Sequence, residues 1–148
     1  MNDLKTILRS QVTELYQNNL TLSNGNESLI KQQDKQIDEI FNEFLTVLDT
    51  FRRAEDVIRE RELDKDENAK MAINRLLNAK KKLLNVLEKY DVKQIEFADN
   101  MAVDELCAVS DTEPDESKPT GEIISIERHG FTRKGHLLRP AEVIIVRN

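Results

Sequence analysis

Apolar residues recur at helical spacing along the first ninety residues, with polar residues between them. In the most regular run the spacing alternates between four and three residues up to Phe51 and resumes at Ile58. Its members are Ile37, Phe41, Phe44, Leu48, Phe51 and Ile58. Such spacing predicts a long helix that pairs with other helices. Ile40, Leu45 and Val47 widen the apolar stripe. A stripe this wide needs more than one partner helix to cover it, so the pattern predicts dimerisation.

The chain before this run carries a weaker pattern of the same kind, with apolar residues close to a 3.5-residue repeat. They are Leu4, Leu8, Val12, Leu15 and Leu22. The segment Ser23-Asn24-Gly25-Asn26 interrupts the pattern. Glycine costs about 1 kcal/mol in a helix interior and Ser and Asn favour caps, so we expect a kink or a new helix start here. The predicted first segment, residues 1–26, is helical or partly disordered.

Residues 63–67 contain no apolar side chain after Leu63 and predict a connection. A second helix is predicted over 68–90, with apolar residues at helical spacing: Ile73, Leu76, Leu77, Leu83, Leu84, Leu87 and Tyr90. Lys80 falls inside this stripe, and we expect its stem to lie on apolar surface with its ammonium group in water. Lys81 and Lys82 point in other directions, which argues against a nucleic-acid patch. Residues 27–90 are thus predicted to form a helical hairpin that serves dimerisation.

The chain from residue 91 onward changes to a β pattern. Strands are predicted over 122–127 and 142–147, joined through a turn region at 130–135, and Val92, Ile95 and Phe97 predict a short strand or packed lead-in. Residues 110–121 hold two prolines, a glycine and four acidic residues, which indicates a loop. The last strand is apolar on both faces, so it is either central or presents one face to a partner. The predicted fold class is α+β, with a small all-β domain over residues 91–148.

Composition limits the possible functions. The 148 residues are 39% hydrophobic and 34% charged with no Trp, which fits helices that bury a narrow stripe better than one thick core. The net charge of −6 disfavours nucleic acid and anionic membranes as partners. From Arg128 onward there are five basic residues and one acidic residue. This surplus is either a solvated strand surface or a contact face for an acidic protein partner.

Candidate chemistry is sparse. Cys107 is the single cysteine and agrees with a reducing compartment, and no targeting signal or long apolar run is present, so we expect a cytoplasmic protein. The stretch Gly130–Gly135 has the gap of a phosphate-binding loop but lacks the following Lys-Ser or Lys-Thr. His129, His136 and Cys107 lack a fourth metal ligand at usual spacing. No nucleophile setting is evident. We therefore expect no enzyme activity, metal or cofactor.

The C-terminal nineteen residues resemble the C-terminal signature of the GrpE family, the nucleotide exchange factors of DnaK-type chaperones. Every fixed position of that signature is filled: Gly130, Phe131, Gly135, Leu138, Arg139, Ala141, Val143 and Ile145. Residues 44–54 are similar to the family segment Leu-Leu-Pro-Val-Leu-Asp-Asn-Leu-Glu-Arg-Ala, and residues 83–95 resemble another. Asp91 stands where the family has a turn glycine, and His129 where many relatives have Lys.

The resemblance implies a homodimer in which long helices pair, shorter helices complete a four-helix bundle, and each β domain projects as an arm. One arm binds the ATPase domain of a DnaK-type chaperone and opens its cleft, so that ADP leaves; the protein itself binds no nucleotide. We expect the partner-binding residues to be Glu127, His129, Gly130, Phe131, Arg139 and Ile145. The expected dimerisation residues are Ile37, Phe41, Phe44, Leu48, Phe51, Ile58, Leu76, Leu83 and Leu87.

Several of these residues also have a purely structural interpretation. Phe131 could fill the β core, Arg139 could brace a strand, and Gly130 and Gly135 are expected to supply positive-φ turn conformations. An alternative function is also open: a dimeric coiled-coil scaffold whose β arm binds an unrelated protein.

Overall fold

The structure, a computed structural model, describes residues 2–148. Two helices come first, α1 over Asn2–Glu60 and α2 over Glu67–Lys89, separated by a 3-10 turn at Leu63–Lys65. The Asp66 carboxylate caps α2 by accepting a hydrogen bond from the backbone N–H of Asn68 at 2.9 Å. The predicted second helix and the predicted connection are both confirmed.

The helix interruption predicted at residues 23–26 is absent, because α1 runs through Gly25. Nothing lies within 4 Å of the position that a Cβ on Gly25 would take, so this glycine has no packing role within the chain. Its cost of about 1 kcal/mol is small beside the cooperative hydrogen bonding of a 59-residue helix.

The chain divides into two compact units, Met1–Glu39 and Ile40–Asn148. In the described part of the first unit, every large apolar side chain is exposed. Leu8, Leu15, Leu22 and Leu29 recur every seven residues and are 52–66% exposed. This unit therefore buries none of its apolar stripe by itself.

In the second unit, one core forms where α1, α2 and a small sheet meet. Its buried members are Leu45, Leu48, Leu87, Val92 and Phe131. The sheet is antiparallel with the order β1-β4-β5, where β1 is Val92–Gln94, β4 is Phe131–Arg133 and β5 is His136–Arg139. The chain thus returns from residue 131 to pack against the helices that precede it.

A second sheet has the order β2-β6-β3, with β2 over Cys107–Glu113, β3 over Ile123–Arg128 and β6 over Ala141–Val146. β6 is central, parallel to β2 and antiparallel to β3. The loop predicted over 110–121 is therefore wrong at its start, since residues 110–113 belong to β2, which pairs with β6. The α+β class, with two helices followed by an all-β region, is confirmed.

Two glycines of the signature have different roles. Gly135 has φ +81° in the turn between β4 and β5, as predicted. Gly130 has no positive φ, and that part of the prediction is wrong. A Cβ on Gly130 would lie 2.4 Å from the backbone nitrogen of Ala141 and 2.8 Å from Cδ1 of Ile95. Gly130 is thus required by close backbone approach. Asp91, where the family has glycine, does have a positive φ of 58°.

The substitution Gly130→Ala is expected to destabilise the second unit by about 2 kcal/mol, because backbone atoms must move to admit the methyl group. Gly25→Ala is the matched control and should stabilise by about 1 kcal/mol, since its site is open and helical. Urea unfolding followed by far-ultraviolet circular dichroism measures both. Equal effects of the two changes would contradict the close-approach explanation.

Candidate partner-binding surface

The six predicted partner-binding residues fall into two groups in the structure. Glu127 is exposed at the end of β3, and Ile145 is partly exposed in β6. The side chains of Phe131 and Arg139 are 2% and 6% exposed, and Gly130 is buried beside them. His129 is partly buried.

Phe131 joins the sheet to the helices. Its ring belongs to the core formed with Leu48 of α1, Leu87 of α2 and Val92 of β1. The guanidinium carbon of Arg139 lies 5.5 Å from the ring centroid, within cation–π range. Phe131 therefore holds the β4–β5 hairpin against the helical hairpin, and its side chain offers little surface to a partner.

Arg139 makes the strongest polar contact between the helices and the strands. Its Nη1 and Nη2 groups donate to the two carboxylate oxygens of Asp49 at 2.8 and 2.6 Å. Its Nε group donates to the backbone oxygen of His129 at 2.9 Å. Bidentate pairing of a buried arginine fixes both position and orientation. The geometry of Arg139 therefore supports its structural interpretation, in which the side chain braces a strand and Asp49 is its partner.

A second arginine extends this contact. Arg128 at the end of β3 donates to Glu142 of β6 at 3.1 Å, and its Nε atom lies 3.7 Å from Oδ2 of Asp49. Asp49 therefore contacts one arginine from each of the two sheets. We call Asp49, Arg128 and Arg139 the junction cluster. Sequence reasoning missed Asp49, which is a single polar position beside the apolar stripe of α1.

His129 sits in a positively charged setting. Burial lowers the pKa of its imidazole, and Arg52, Lys80 and Arg139 lower that pKa further, while Asp49 opposes them. The imidazole is thus favoured in its neutral form near neutral pH. A neutral ring can both donate and accept hydrogen bonds, which suits a polar contact.

Glu127 and Ile145 lie in the β2-β6-β3 sheet. The Glu127 carboxylate accepts a hydrogen bond from the Ser125 hydroxyl at 2.9 Å. Ile145 pairs with Ile123 across the sheet and packs against the buried group of Cys107, Ile123, Ala141 and Val143. Its neighbour Ile144 is also partly exposed. Of the two predicted alternatives for the last strand, the structure shows the central position, with Ile144 and Ile145 partly exposed.

The predicted dimerisation residues differ in how far they are buried within their own chain. Leu48 and Leu87 are buried within their own chain. In the second unit, Phe44 and Leu76 are 45% and 37% exposed, and four residues are partly buried: Phe41, Phe51, Ile58 and Leu83. Ile37, in the first unit, is 40% exposed. The structure adds a groove between α1 and α2 with apolar walls formed by Ala54, Val57, Ile58, Ala72, Ile73 and Leu76.

Lys80 is ion-paired, which corrects its predicted solvation. Its ammonium group donates to both carboxylate oxygens of Glu55, at 2.8 and 2.9 Å, and each side chain is 27% exposed. Glu55 and Lys80 are the two charged residues that interrupt the apolar stripes of α1 and α2. Their side chains meet within the helical hairpin, where each charge is neutralised by the other.

Within residues 2–148, no cluster of His, Cys, Asp and Glu has the geometry of a metal site. Burial raises the pKa of the Cys107 thiol, which makes the thiolate less available. Across the same residues, neither helix is long and apolar enough to cross a bilayer.

Two comparisons with known proteins match nearly the whole chain. The family model for GrpE matches residues 3–147. The chain is also 27% identical over 147 residues to Protein GrpE of Wolbachia sp. subsp. Brugia malayi (strain TRS), covering 98% of this chain and 79% of that protein. The match spans both helices and both sheets, including the junction cluster. The chain therefore belongs to the GrpE family of co-chaperones.

Proposed function

We propose that this protein is a nucleotide exchange factor that binds the ATPase domain of a DnaK-type chaperone and accelerates ADP release. The proposal rests on family membership over almost the whole chain. The structural observation that carries it is the junction cluster, in which Asp49 pairs with a 6%-exposed Arg139. These contacts tie β3 and β5 to α1, which supports a β region that acts as a firmly held arm. The proposal places the protein in the cytoplasm with its chaperone.

A firmly attached arm suits a mechanism based on shape. If the arm binds the open state of the ATPase domain better than the closed state, it shifts the population toward the open state. By linkage, the affinity of the chaperone for ADP must fall by the same factor. No bond is made or broken by the exchange factor, so it requires no catalytic group of its own.

The six predicted partner residues would then act in two ways. Glu127, His129 and Ile145 have surface available and would contact the chaperone directly. Gly130, Phe131 and Arg139 are interior and would act by holding the strands in place against α1. Substitution of the interior residues should lower exchange through loss of folding or orientation, whereas substitution of the surface residues should lower it in a folded protein.

We further propose that the protein is a homodimer. In the second unit, the groove between α1 and α2 would be covered by the same surface of another copy, which gives a four-helix bundle. In the first unit, the four leucines spaced by seven residues define one set of core positions of a heptad repeat. Asn19 and Asn26 fall at the other core position of that repeat, where asparagine favours a specific register and two strands.

The test is ADP release from the DnaK-type chaperones of the same organism, followed with fluorescent ADP. Glu127→Lys is expected to reduce the acceleration about tenfold or more, because it reverses a charge at the proposed contact. Glu113→Lys is the matched control, since Glu113 is exposed on β2, at the other edge of the same sheet. It should retain the activity of the unmodified protein.

Two outcomes would count against the proposal. Failure of the unmodified protein to accelerate ADP release from any of these chaperones would favour the scaffold function instead. Equal activity of the Glu127→Lys and Glu113→Lys variants would leave exchange intact but remove Glu127 from the contact.

A further inference from the structure

Glu127 lies at an irregular position of an edge strand. In the sheet order β2-β6-β3, β3 is at the edge. Ile126 pairs with Val143, and the next pair is Arg128 with Glu142. Two steps along β3 thus match one step along β6, and Glu127 is the extra residue of a β-bulge. A bulge interrupts the regular pairing and re-aims the side chain that it carries. The sheet by itself therefore exposes Glu127 without fixing its direction.

Helix α1 contacts the strand on both sides of this bulge. Before the bulge, Nη2 of Arg52 donates a hydrogen bond to the backbone oxygen of Ile126. After the bulge, Nε of Arg128 lies 3.7 Å from Oδ2 of Asp49, within the junction cluster. Asp49 and Arg52 are three residues apart on α1 and so lie on the same face of that helix. The backbone of Glu127 is thus tied to α1 through both of its neighbours in the chain.

The carboxylate of Glu127 is oriented and also available to a partner. It accepts a hydrogen bond from the Ser125 hydroxyl at 2.9 Å, and a neutral hydroxyl leaves its negative charge in place. Glu127 lines a groove of about 280 Å³ together with Arg52, Asp49 and Glu142. The carboxylates of Asp49 and Glu142 are bound by arginines of this chain. Glu127 differs from them, because it is exposed and can accept from a donor outside the chain.

We propose that Arg52 is a positioning residue for partner binding. By holding the Ile126 carbonyl, it keeps the bulge in the form that presents Glu127 to a basic side chain of the chaperone. Arg52 is itself partly buried and acts through Glu127. A side chain that is fixed before binding loses less conformational entropy when it binds, so the affinity increases without an added contact. The inference rests on the proposed function, in which Glu127 contacts the chaperone.

The first test uses the full chain without a chaperone. Backbone nitrogen-15 relaxation gives the order parameter of the Glu127 amide, which we expect to be about 0.85 in the unmodified protein. Arg52→Met removes the donor and keeps an apolar stem, and it should lower this value to about 0.6. Arg52→Gln, whose amide is too short to reach Ile126, should have the same effect and serves as a second variant if Arg52→Met is poorly folded.

Arg59→Gln is the matched control for both tests. Arg59 is also on α1, its side chain is 77% exposed, and it lies 3.6 Å from Asp56. The order parameter of the Glu127 amide should not change in this variant. An unchanged order parameter in folded Arg52→Met and Arg52→Gln proteins would overturn the proposal.

The second test is ADP release measured over a range of exchange-factor concentrations. Arg52→Met should raise the concentration that gives half-maximal acceleration about fivefold, the effect of one lost hydrogen bond, and leave the maximal rate unchanged. In a Glu127→Gln background the same substitution should have no further effect, because Arg52 acts through Glu127. A residue that only stabilised the fold would not show this coupling. Arg59→Gln should behave as the unmodified protein.

Failure of this inference and failure of the proposed function give different results. If the unmodified protein accelerates ADP release, additive effects of Arg52→Met and Glu127→Gln would overturn the positioning role, as would a Glu127→Gln variant with unchanged activity. If the unmodified protein accelerates no release, the exchange function itself is wrong and Arg52 has no role in it. The order parameter of Glu127 still decides in that case whether Arg52 holds the bulge.

Discussion

Replacing Leu76 by glutamate is expected to convert the proposed dimer into monomers. Leu76 is 37% exposed and lines the apolar groove between α1 and α2. A carboxylate buried there would lose its hydration without gaining a partner. Because a two-fold dimer carries the substitution twice, the total cost is several kcal/mol, and the dissociation constant should rise by about 100-fold or more.

Sedimentation equilibrium across a range of concentrations measures this effect. Asn78→Glu is the matched control, because residue 78 is exposed and lies on the opposite side of α2 from Leu76. It should leave the dimer intact. A Leu76→Glu protein that still sediments as a dimer would show that the groove is not the interface. Phe44 lies on α1 and is 45% exposed. The Phe44→Glu variant would then show whether another part of the apolar stripe forms the dimer interface.

Removing the Asp49 carboxylate is expected to produce the largest loss of stability among single polar substitutions in the second unit. Asp49→Ala leaves Arg139, 6% exposed, with both terminal nitrogens unpaired. Breaking a buried ion pair from one side costs about 3–5 kcal/mol. The Asp49 side chain is 22% exposed, and water admitted there would solvate Arg139 in part, so we expect about 3 kcal/mol.

The control for this experiment is Asp56→Ala, on the same helix. Asp56 pairs with Arg59 at 3.6 Å, and these side chains are 46% and 77% exposed, so its loss should cost less than about 1 kcal/mol. Arg139→Met should cost less than Asp49→Ala, because it removes the buried charge. The double variant Asp49→Ala with Arg139→Met should be more stable than additivity predicts. Equal unfolding free energies for Asp49→Ala and Asp56→Ala would contradict the stabilising role of the junction cluster.

The helices were largely predictable because their signal is local. The 4-3 spacing around Ile37–Phe51 repeats often enough to identify a helix and its buried face, and Leu45 and Leu48 are indeed core residues. The predicted interruption at Gly25 failed because local propensity is a weak term beside the cooperativity of a long helix. The strands over 123–128 and 141–146 were found from their apolar content, within two residues at each end.

The contacts that define the site are long-range and could not be read from spacing. Glu55 lies between Phe51 and Ile58 in the stripe of α1, and Lys80 lies inside the stripe of α2, yet the two pair across the hairpin. Gly130 was assigned a turn conformation, whereas its requirement comes from the Ala141 backbone. Residues 110–113 looked like a loop because acidic residues and proline dominate the stretch, but pairing with β6 makes them a strand.

The sequence by itself determined the α+β class, the two apolar helix faces, the family and the residues of the C-terminal signature, because each is recorded in residue type and spacing along the chain. Only the tertiary structure decided how those residues are used. Folding brings Asp49 of α1 to Arg139 of β5, ninety positions away, and buries Phe131. Charge pairing and burial depend on distance in space, and the order of residues in the chain does not specify that distance.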